Sequence, residues 1–155
     1  MEQKIATSIE QSKKLLELGL SPNTADLLYD IYINSITNEQ EGMSLDFVSN
    51  WQSAWGNNKD KSDLFDDRTI PCWSLSALLD LMPKDRFIDI ELSYGGFSVD
   101  PLEYVEKWFI SFENEKDYEL DIKTFSSEHP IDAVFEMVCW LLENGFIKKD
   151  VSNGI

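Results

Sequence analysis

The last helix that the sequence predicts constrains the fold more than any other segment. It begins at Pro130 and ends at Gly145, since proline is favoured in the first turn of a helix and glycine just after its end. We expect Ser127 to cap it. Its apolar residues lie on most sides of the helix: Ile131, Val134, Phe135, Met137, Val138, Trp140, Leu141 and Leu142. A helix of this kind must be buried by other elements, so we expect it to dominate the core.

Alternating side chains predict an antiparallel sheet against this helix. Apolar and polar residues alternate through 87–94, and Gly95-Gly96 predicts a hairpin turn followed by a short strand at 97–99. A long aromatic strand follows at 102–112. Residues 113–116 read as a turn, and the next strand covers 117–125. The predicted fold class is α+β, with an antiparallel β-meander packed on one face by helices.

Two further helices are predicted from capping residues. Thr7 and Glu10 have the spacing of a capping box, and Gly19 ends the helix that they begin. Ser74 caps a second helix, which Pro83 ends. Residues 25–33 fit either a helical turn leading into a strand or a strand throughout.

Residues 34–68 have the least regular pattern in the chain. They are rich in Asn, Gln, Ser, Gly and Asp, and 45–55 fits either an amphipathic helix or an irregular strand. A long segment of this kind is either mobile or functional, so we interpret it as an irregular excursion. The length of 155 residues suits one α+β domain over 1–155, in which 148–155 form a loose tail.

The sequence favours a cytoplasmic protein. The N-terminus lacks the layout of a secretory signal, and the most apolar stretch, 133–142, is about half the length needed to cross a bilayer. Cys72 and Cys139 lie in apolar surroundings, which predicts buried free thiols in a reducing compartment. We therefore expect no contact with a membrane.

Three segments of the chain resemble a known group of proteins. They are EQSKKLLELG at 10–19, IPCWSLSALLDLMP at 70–83 and AVFEMVCWLLENG at 133–145. Together they resemble small uncharacterised proteins of Bacteroides-type gut bacteria that often accompany prophage or mobile-element genes. The resemblance implies an intracellular protein of phage or mobile-element origin. It implies no activity, because the group has none assigned and the three segments consist of helix and core.

The residues that usually carry catalysis are few. His129 is the only histidine, which excludes sites built on two or more, and the apolar flanks of both cysteines do not favour a thiolate. The chain has no glycine-rich phosphate loop and no Gly-x-Ser-x-Gly motif. The aspartates at 60, 63, 66 and 67 lack the spacing of an EF-hand calcium loop. We expect no catalytic residue, no metal and no cofactor, and the sequence leans towards a non-enzymatic protein.

Acidic residues form the one patterned feature with functional content. The chain holds 29 Asp and Glu against 13 Lys and Arg, a formal charge of −16, which argues against direct nucleic-acid binding. Side chains two apart in a strand share a face about 6.6 Å apart. This pattern groups Asp117, Glu119 and Asp121, and likewise Asp89 and Glu91. We expect all five on one open face of the sheet, either simply solvated or binding a partner.

Two functions follow as alternatives. In the first, the acidic face binds a basic protein, possibly a DNA-binding protein through imitation of phosphate. In the second, the chain is a small-molecule binding domain or an enzyme with a pocket near 34–68. Trp51 and Trp55 lie in that region, where they could line the pocket or contact a protein.

Overall fold

The computed structural model describes residues 4–55, 64–99 and 101–150, without the side chains of 53–55, 98 and 99. This part contains two three-stranded antiparallel sheets and four α-helices, which confirms the α+β class. The helices are α1 (Ile9–Glu17), α2 (Val48–Trp55), α3 (Leu75–Asp80) and α4 (Pro130–Glu143). The strands are β1 (Leu27–Ile33), β2 (Gln40–Phe47), β3 (Thr69–Cys72), β4 (Ile88–Val99), β5 (Leu102–Lys116) and β6 (Glu119–Ser127).

The large sheet has the strand order β4-β5-β6 and is the predicted meander. Its inner face packs against α4. Ile110 and Phe112 of β5 are fully buried there, and Phe112 contacts the rings of Trp140 and Phe146, with centroid distances of 4.9 and 5.0 Å. The opposite, outer face is open. As expected, α4 lies at the centre of the core, with nine of its fourteen residues buried.

The predicted turns of the large sheet are wrong in two places. Gly95-Gly96 lie within β4, which continues to Val99, and the pairing with β5 shifts its register between Tyr94 and Gly96. Residues 113–116 extend β5. The turn falls instead at Asp117 and Tyr118, whose φ angles of 56° and 68° match the two positive-φ positions of a type I′ hairpin turn. Because neither residue is Gly or Asn, the sequence carries no strong signal for a turn there.

The small sheet has the order β2-β1-β3 and replaces much of the predicted excursion. Residues 40–55 form β2 and α2, so the prediction of an irregular segment is wrong for them, and 45–55 divide between strand and helix at Phe47. Residues 25–33 contain β1. The small sheet is covered on one face by α2 and Leu64, and on the other in part by Ala6. The excursion's residues 56–63 lie outside the described part.

The helix boundaries agree closely with the sequence. Ser74 caps α3 as predicted, and Gly19 follows α1 with a φ of 98°. The cap of α1 is Ser8, with Gln11 completing the capping box, one residue later than predicted. The predicted cap of α4 is wrong, because its N-cap is His129 without a side-chain bond.

The remaining expectations concern the thiols, the membrane and the tail. Cys72 and Cys139 are buried and free, as predicted. Within the described residues, no helix has the length and apolar character needed to span a membrane. The predicted loose tail, 148–155, lies outside the described residues from 151 onwards. Before that point, the Asp150 N–H donates to the Gly19 carbonyl at 2.6 Å.

Candidate functional site: the acidic end of the large sheet

The predicted common face of the five acids is wrong, because strand pairing divides them between the two faces of the large sheet. Residues directly opposite each other in an antiparallel pair share a face. Asp89 lies opposite Glu113, which lies opposite Ile122, whereas Asp121 lies opposite Asn114. Asp89 is therefore on the outer face and Asp121 on the inner face.

The other three acids follow the same register. Glu91 is on the outer face with Asp89, and Glu119 is on the inner face with Asp121. Asp117 belongs to the turn between β5 and β6. Moving a strand by one residue exchanges its faces, and the faces of β6 depend on where the turn begins. Placing the turn at 113–116 therefore left the relation between β4 and β6 undetermined.

The acids instead gather at one end of the sheet, around the Asp117 turn. An open cleft of about 640 Å³ lies on the outer side of this end. Its acidic lining residues are Asp89, Glu113, Glu115 and Asp117, and the rest of the lining is Arg86, Phe87, Ile88, Tyr118 and Leu120. The outer cleft therefore combines four carboxylates with aromatic and aliphatic walls.

A second open cleft, of about 320 Å³, lies across the same turn. It is lined by Asn114, Lys116, Asp117, Glu119 and Asp121. Asp117 borders both clefts. We call Asp89, Glu113, Glu115, Asp117, Glu119 and Asp121 the acidic end. Four of the five predicted acids belong to it, and Glu91, opposite Ser111, does not.

Glu113 and Glu115 are the acids that the sequence analysis missed. Both were assigned to a turn, whereas in the structure they are on β5. The signal that could have found them is the alternation of apolar and polar residues in 110–115, where Ile110 and Phe112 point to the core and Ser111, Glu113 and Glu115 point away. This alternation continues past the end that we predicted for the strand.

Like charges face each other directly in the outer cleft. Asp89 and Glu113 form a cross-strand pair, an arrangement in which like charges destabilise a sheet. In the part of the chain that the structure describes, neither carboxylate forms a salt bridge. Arg86 is the cation that lines the cleft, and its guanidinium lies 4.6 Å from the centroid of the Phe87 ring. A cation bound here would reduce the repulsion between the carboxylates.

The turn also exposes an aromatic ring beside these acids. The side chain of Tyr118 is fully exposed and lines the outer cleft. With positive φ at both Asp117 and Tyr118, the chain reverses within two residues, so the ring of Tyr118 and the carboxylate of Asp117 project at the tip of the hairpin. The acidic end thus offers both charge and a ring face.

Trp51 has a structural role. Its indole N–H donates to Asp46 at 3.0 Å, and its ring packs beside Val48 and Leu64. Bonds from Asn50, the Phe47 N–H and Trp51 hold the pKa of Asp46 below its usual value. Trp55 ends α2, and its side chain lies outside the described residues. The structure therefore does not bring the two predicted tryptophans together in a pocket.

A cleft of about 500 Å³ does lie at the end of the 34–68 region. Its lining comes from α1, the turn at Pro22 and residues 65–71, and comprises Lys13, Leu16, Pro22, Phe65, Asp66, Asp67, Ile70 and Pro71. It is more apolar than the acidic end, with one cation and two carboxylates at its border.

The cysteine thiols are poorly suited to nucleophilic chemistry. Burial, with a smaller effect from Asp26, raises the pKa of Cys72 to about 12. Burial also raises the pKa of Cys139 to about 12. The thiolate is the reactive form of cysteine, so both groups are unreactive near neutral pH. No group of three or more His, Cys, Asp or Glu placed to hold a metal occurs among the residues described.

Comparisons with known proteins add no assignment. Neither the protein-family models, nor the curated proteins, nor the solved structures gave a match to this chain.

Proposed function

We propose that this chain is a non-enzymatic interaction protein, and that its acidic end binds a Lys- or Arg-rich segment of a partner protein. The observation that carries the proposal is the concentration of six carboxylates around one hairpin turn, with a cleft on each side of it. The partner differs in position from the one expected from sequence. It would contact an end of the sheet and not a whole face.

Electrostatics support a cationic partner. A negative surface attracts positive segments and accelerates their association, an effect that falls as salt screens the charges. The repulsion between Asp89 and Glu113 adds a local reason, because a bound cation would lower it. Lys116 and Arg86 border the clefts but leave the acids in excess.

The walls of the outer cleft suit the side chains of lysine and arginine. Both carry an aliphatic stem below a charged head, and Tyr118, Phe87 and Leu120 provide surfaces for the stem. The exposed Tyr118 ring also offers a face for a cation, a contact worth about 0.5–1 kcal/mol at exposed sites. Arg86 over Phe87 shows this contact within the chain.

Calorimetry with a short oligolysine peptide tests the proposal. We expect binding at about 50 mM salt that weakens strongly at about 300 mM salt, as screening predicts. In the double variant Glu113→Gln/Glu115→Gln, we expect the affinity to fall by about tenfold, because two carboxylates of the outer cleft lose their charge.

The matched control is Glu10→Gln/Glu143→Gln, which removes the same charge from exposed positions on α1 and α4. We expect this control to bind within about twofold of the wild type. An equal loss in both double variants would mean that net charge alone attracts the peptide, and it would overturn the proposal. Adding duplex DNA as a competitor to a captured DNA-binding partner tests phosphate imitation, which requires the two ligands to exclude each other.

The cleft of about 500 Å³ supports a small-molecule site as a second candidate. Its size falls within the range of ligand pockets, and Lys13 faces an otherwise apolar lining with Asp66 and Asp67 at the border. Screening a fragment library by protein-observed NMR tests it. Specific shifts at Leu16, Phe65 and Ile70 would support the site, and an absence of saturable shifts there would reject it.

A further inference from the structure

The free edge of the small sheet carries apolar side chains. Strand β2 is at the end of the order β2-β1-β3, and its Met43, Leu45 and Phe47 are 45%, 39% and 59% exposed. All three lie on one face, since they alternate with Ser44 and Asp46 along the strand. An exposed apolar edge strand can pair with another chain.

The backbone of these residues points towards the free edge. The Val48 N–H donates inwards to the Asp26 carbonyl at 3.1 Å. Alternate residues of a strand direct their N–H and C=O groups to opposite sides, so Ser44 and Asp46 bond to β1, whereas Met43, Leu45 and Phe47 point outwards. The side chain of Asp46 accepts from the Phe47 N–H at 2.8 Å. The N–H groups of Met43 and Leu45 remain directed to the edge.

Charge favours a second copy of this chain at this surface. Two copies with a formal charge of −16 repel each other over most of their surfaces. The face that carries Met43, Leu45 and Phe47 is built entirely from uncharged residues at its paired positions, the others being Leu27, Tyr29, Ile31, Ile70 and Cys72. Two copies can approach here without bringing carboxylates of this face together.

The sequence of β2 is complementary to itself in one antiparallel register. With Leu45 on a two-fold axis, Met43 of one copy lies opposite Phe47 of the other, and Ser44 lies opposite Asp46. Moving the axis to Ser44 would place Phe47 opposite Glu41, and moving it to Asp46 would place two carboxylates directly opposite each other. A two-fold contact of identical surfaces is the commonest arrangement in protein dimers.

We propose that a second copy of this chain pairs with β2 across its free edge, with Leu45 on the two-fold axis. The pairing joins two small sheets into one sheet of six strands. In it, the Leu45 N–H donates to the Leu45 carbonyl of the other copy, and the Met43 N–H donates to the Phe47 carbonyl. The contact is small, so the dimer forms at high protein concentration.

Sedimentation equilibrium from about 10 µM to about 1 mM protein tests the pairing, a range that suits a small interface. We expect a reversible monomer–dimer equilibrium that is stronger at high salt, because salt screens the repulsion between the copies. This salt dependence is opposite to that expected for a cationic peptide at the acidic end, so either proposal can fail without the other. A monomer over the whole range would overturn the pairing.

The variant Leu45→Lys places two ammonium groups opposite each other, and we expect its dimer dissociation constant to rise by about tenfold or more. Leu120→Lys is the matched control, since Leu120 is 55% exposed on the other outer strand, β6, and the charge change is the same. Equal dissociation constants for the two variants would place the contact elsewhere and overturn the pairing.

Amide hydrogen exchange of the wild type gives a readout that needs no variant. The N–H groups of Met43 and Leu45 should become protected as the concentration rises, while that of Ser44, already bonded to β1, should change little. A dimer without this protection would mean that another surface associates.

Discussion

The large sheet covers its apolar face with α4 and presents acids to water at one end, whereas the small sheet leaves apolar side chains of its edge strand in water. The large sheet follows the usual alternation, in which Ile110 and Phe112 face the core and Glu113 faces water. In β2 the alternation is reversed in effect, because Leu45 and Phe47 are exposed while Asp46 is partly covered.

The difference lies in what covers each sheet. Helix α4 has fourteen residues and packs along the large sheet, whereas the small sheet has α2 and Leu64 on one face and Ala6 on part of the other. The amount of covering chain thus sets the stability of each sheet and the character of its open surface. An acidic surface suits a cationic partner, and an apolar edge suits an uncharged one.

The largest expected effect is on stability, and it contrasts two phenylalanines. Phe112→Ala should lower the free energy of unfolding by about 3–5 kcal/mol, because it leaves a cavity beside Trp140 and Phe146. Phe47→Ala should lower it by less than about 1 kcal/mol, because the side chain is 59% exposed. Urea unfolding measures both. Similar losses would mean that the two sheets are equally well packed, and would break the comparison.

The next effect tests how the two sheets are joined. Asp26, just before β1, accepts bonds from the Ser74 N–H at 2.9 Å and from the Ser74 hydroxyl at the start of α3. Asp26→Ala leaves this N–H unpaired and should cost about 1–3 kcal/mol. Asp30→Ala removes a carboxylate from the same strand and serves as the control in urea unfolding. An equal loss in both variants would show that the bond to Ser74 does not stabilise the junction.

The two cysteines report local opening of each sheet. Since burial raises the pKa of both thiols to about 12, their intrinsic reactivity at pH 8 is equally low. Labelling then requires opening, and Cys72 of the small sheet should react about tenfold faster than Cys139 of α4. Mass spectrometry of the labelled peptides measures the ratio. Faster labelling of Cys139 would reverse the stability order of the sheets.

The same thiols predict a pH dependence of stability. Each folded pKa is above the model value of 9.0, so the folded state holds these protons more tightly than the unfolded state. Their contribution is complete below pH 9.0 and is lost as the pH rises towards about 12. Replacing both cysteines by serine should flatten this part of the curve of unfolding free energy against pH. An unchanged slope would assign the dependence to other groups.

The smallest effect concerns the N-terminal segment near α4. Burial acts to raise the pKa of Asp132, but bonds from Lys4 and Gln11 and the charges of Lys4 and His129 outweigh it, so the pKa lies below its usual value. The stabilisation is present above the unfolded pKa of 3.8 and is lost as the pH falls through the folded pKa. Asp132→Asn should cost less than about 1 kcal/mol near neutral pH, because the pair is largely exposed. A loss as large as that of Phe112→Ala would contradict this ranking.

The fold class, α4 and the meander could be predicted from the sequence because they depend on strong local patterns. The apolar sides of α4, its proline and its glycine all act within one segment. The small sheet could not be predicted, because β2 gains its strand conformation from pairing with β1 and carries few residues with high strand propensity. Its Gly42, Ser44 and Asp46 resemble a loop.

The candidate site was predicted in part for a similar reason. Alternation correctly grouped the acids within each strand, but the faces of different strands are related only through the turn between them. Asp117 and Tyr118 take positive φ without glycine, so the position of that turn depends on pairing over the whole length of β5 and β6. Finding the turn moved the site from a face to an end.

The most direct test of the acidic end is a two-dimensional ¹⁵N–¹H NMR titration with oligolysine, which shows where the peptide binds. We predict saturable shifts at Phe87, Asp89 and residues 113–121 that vanish at high salt, with Glu91 and the acids of α1 little affected. Shifts spread evenly over all exposed acids, or concentrated on β2 or at 65–71, would contradict the assignment of the acidic end as the binding surface.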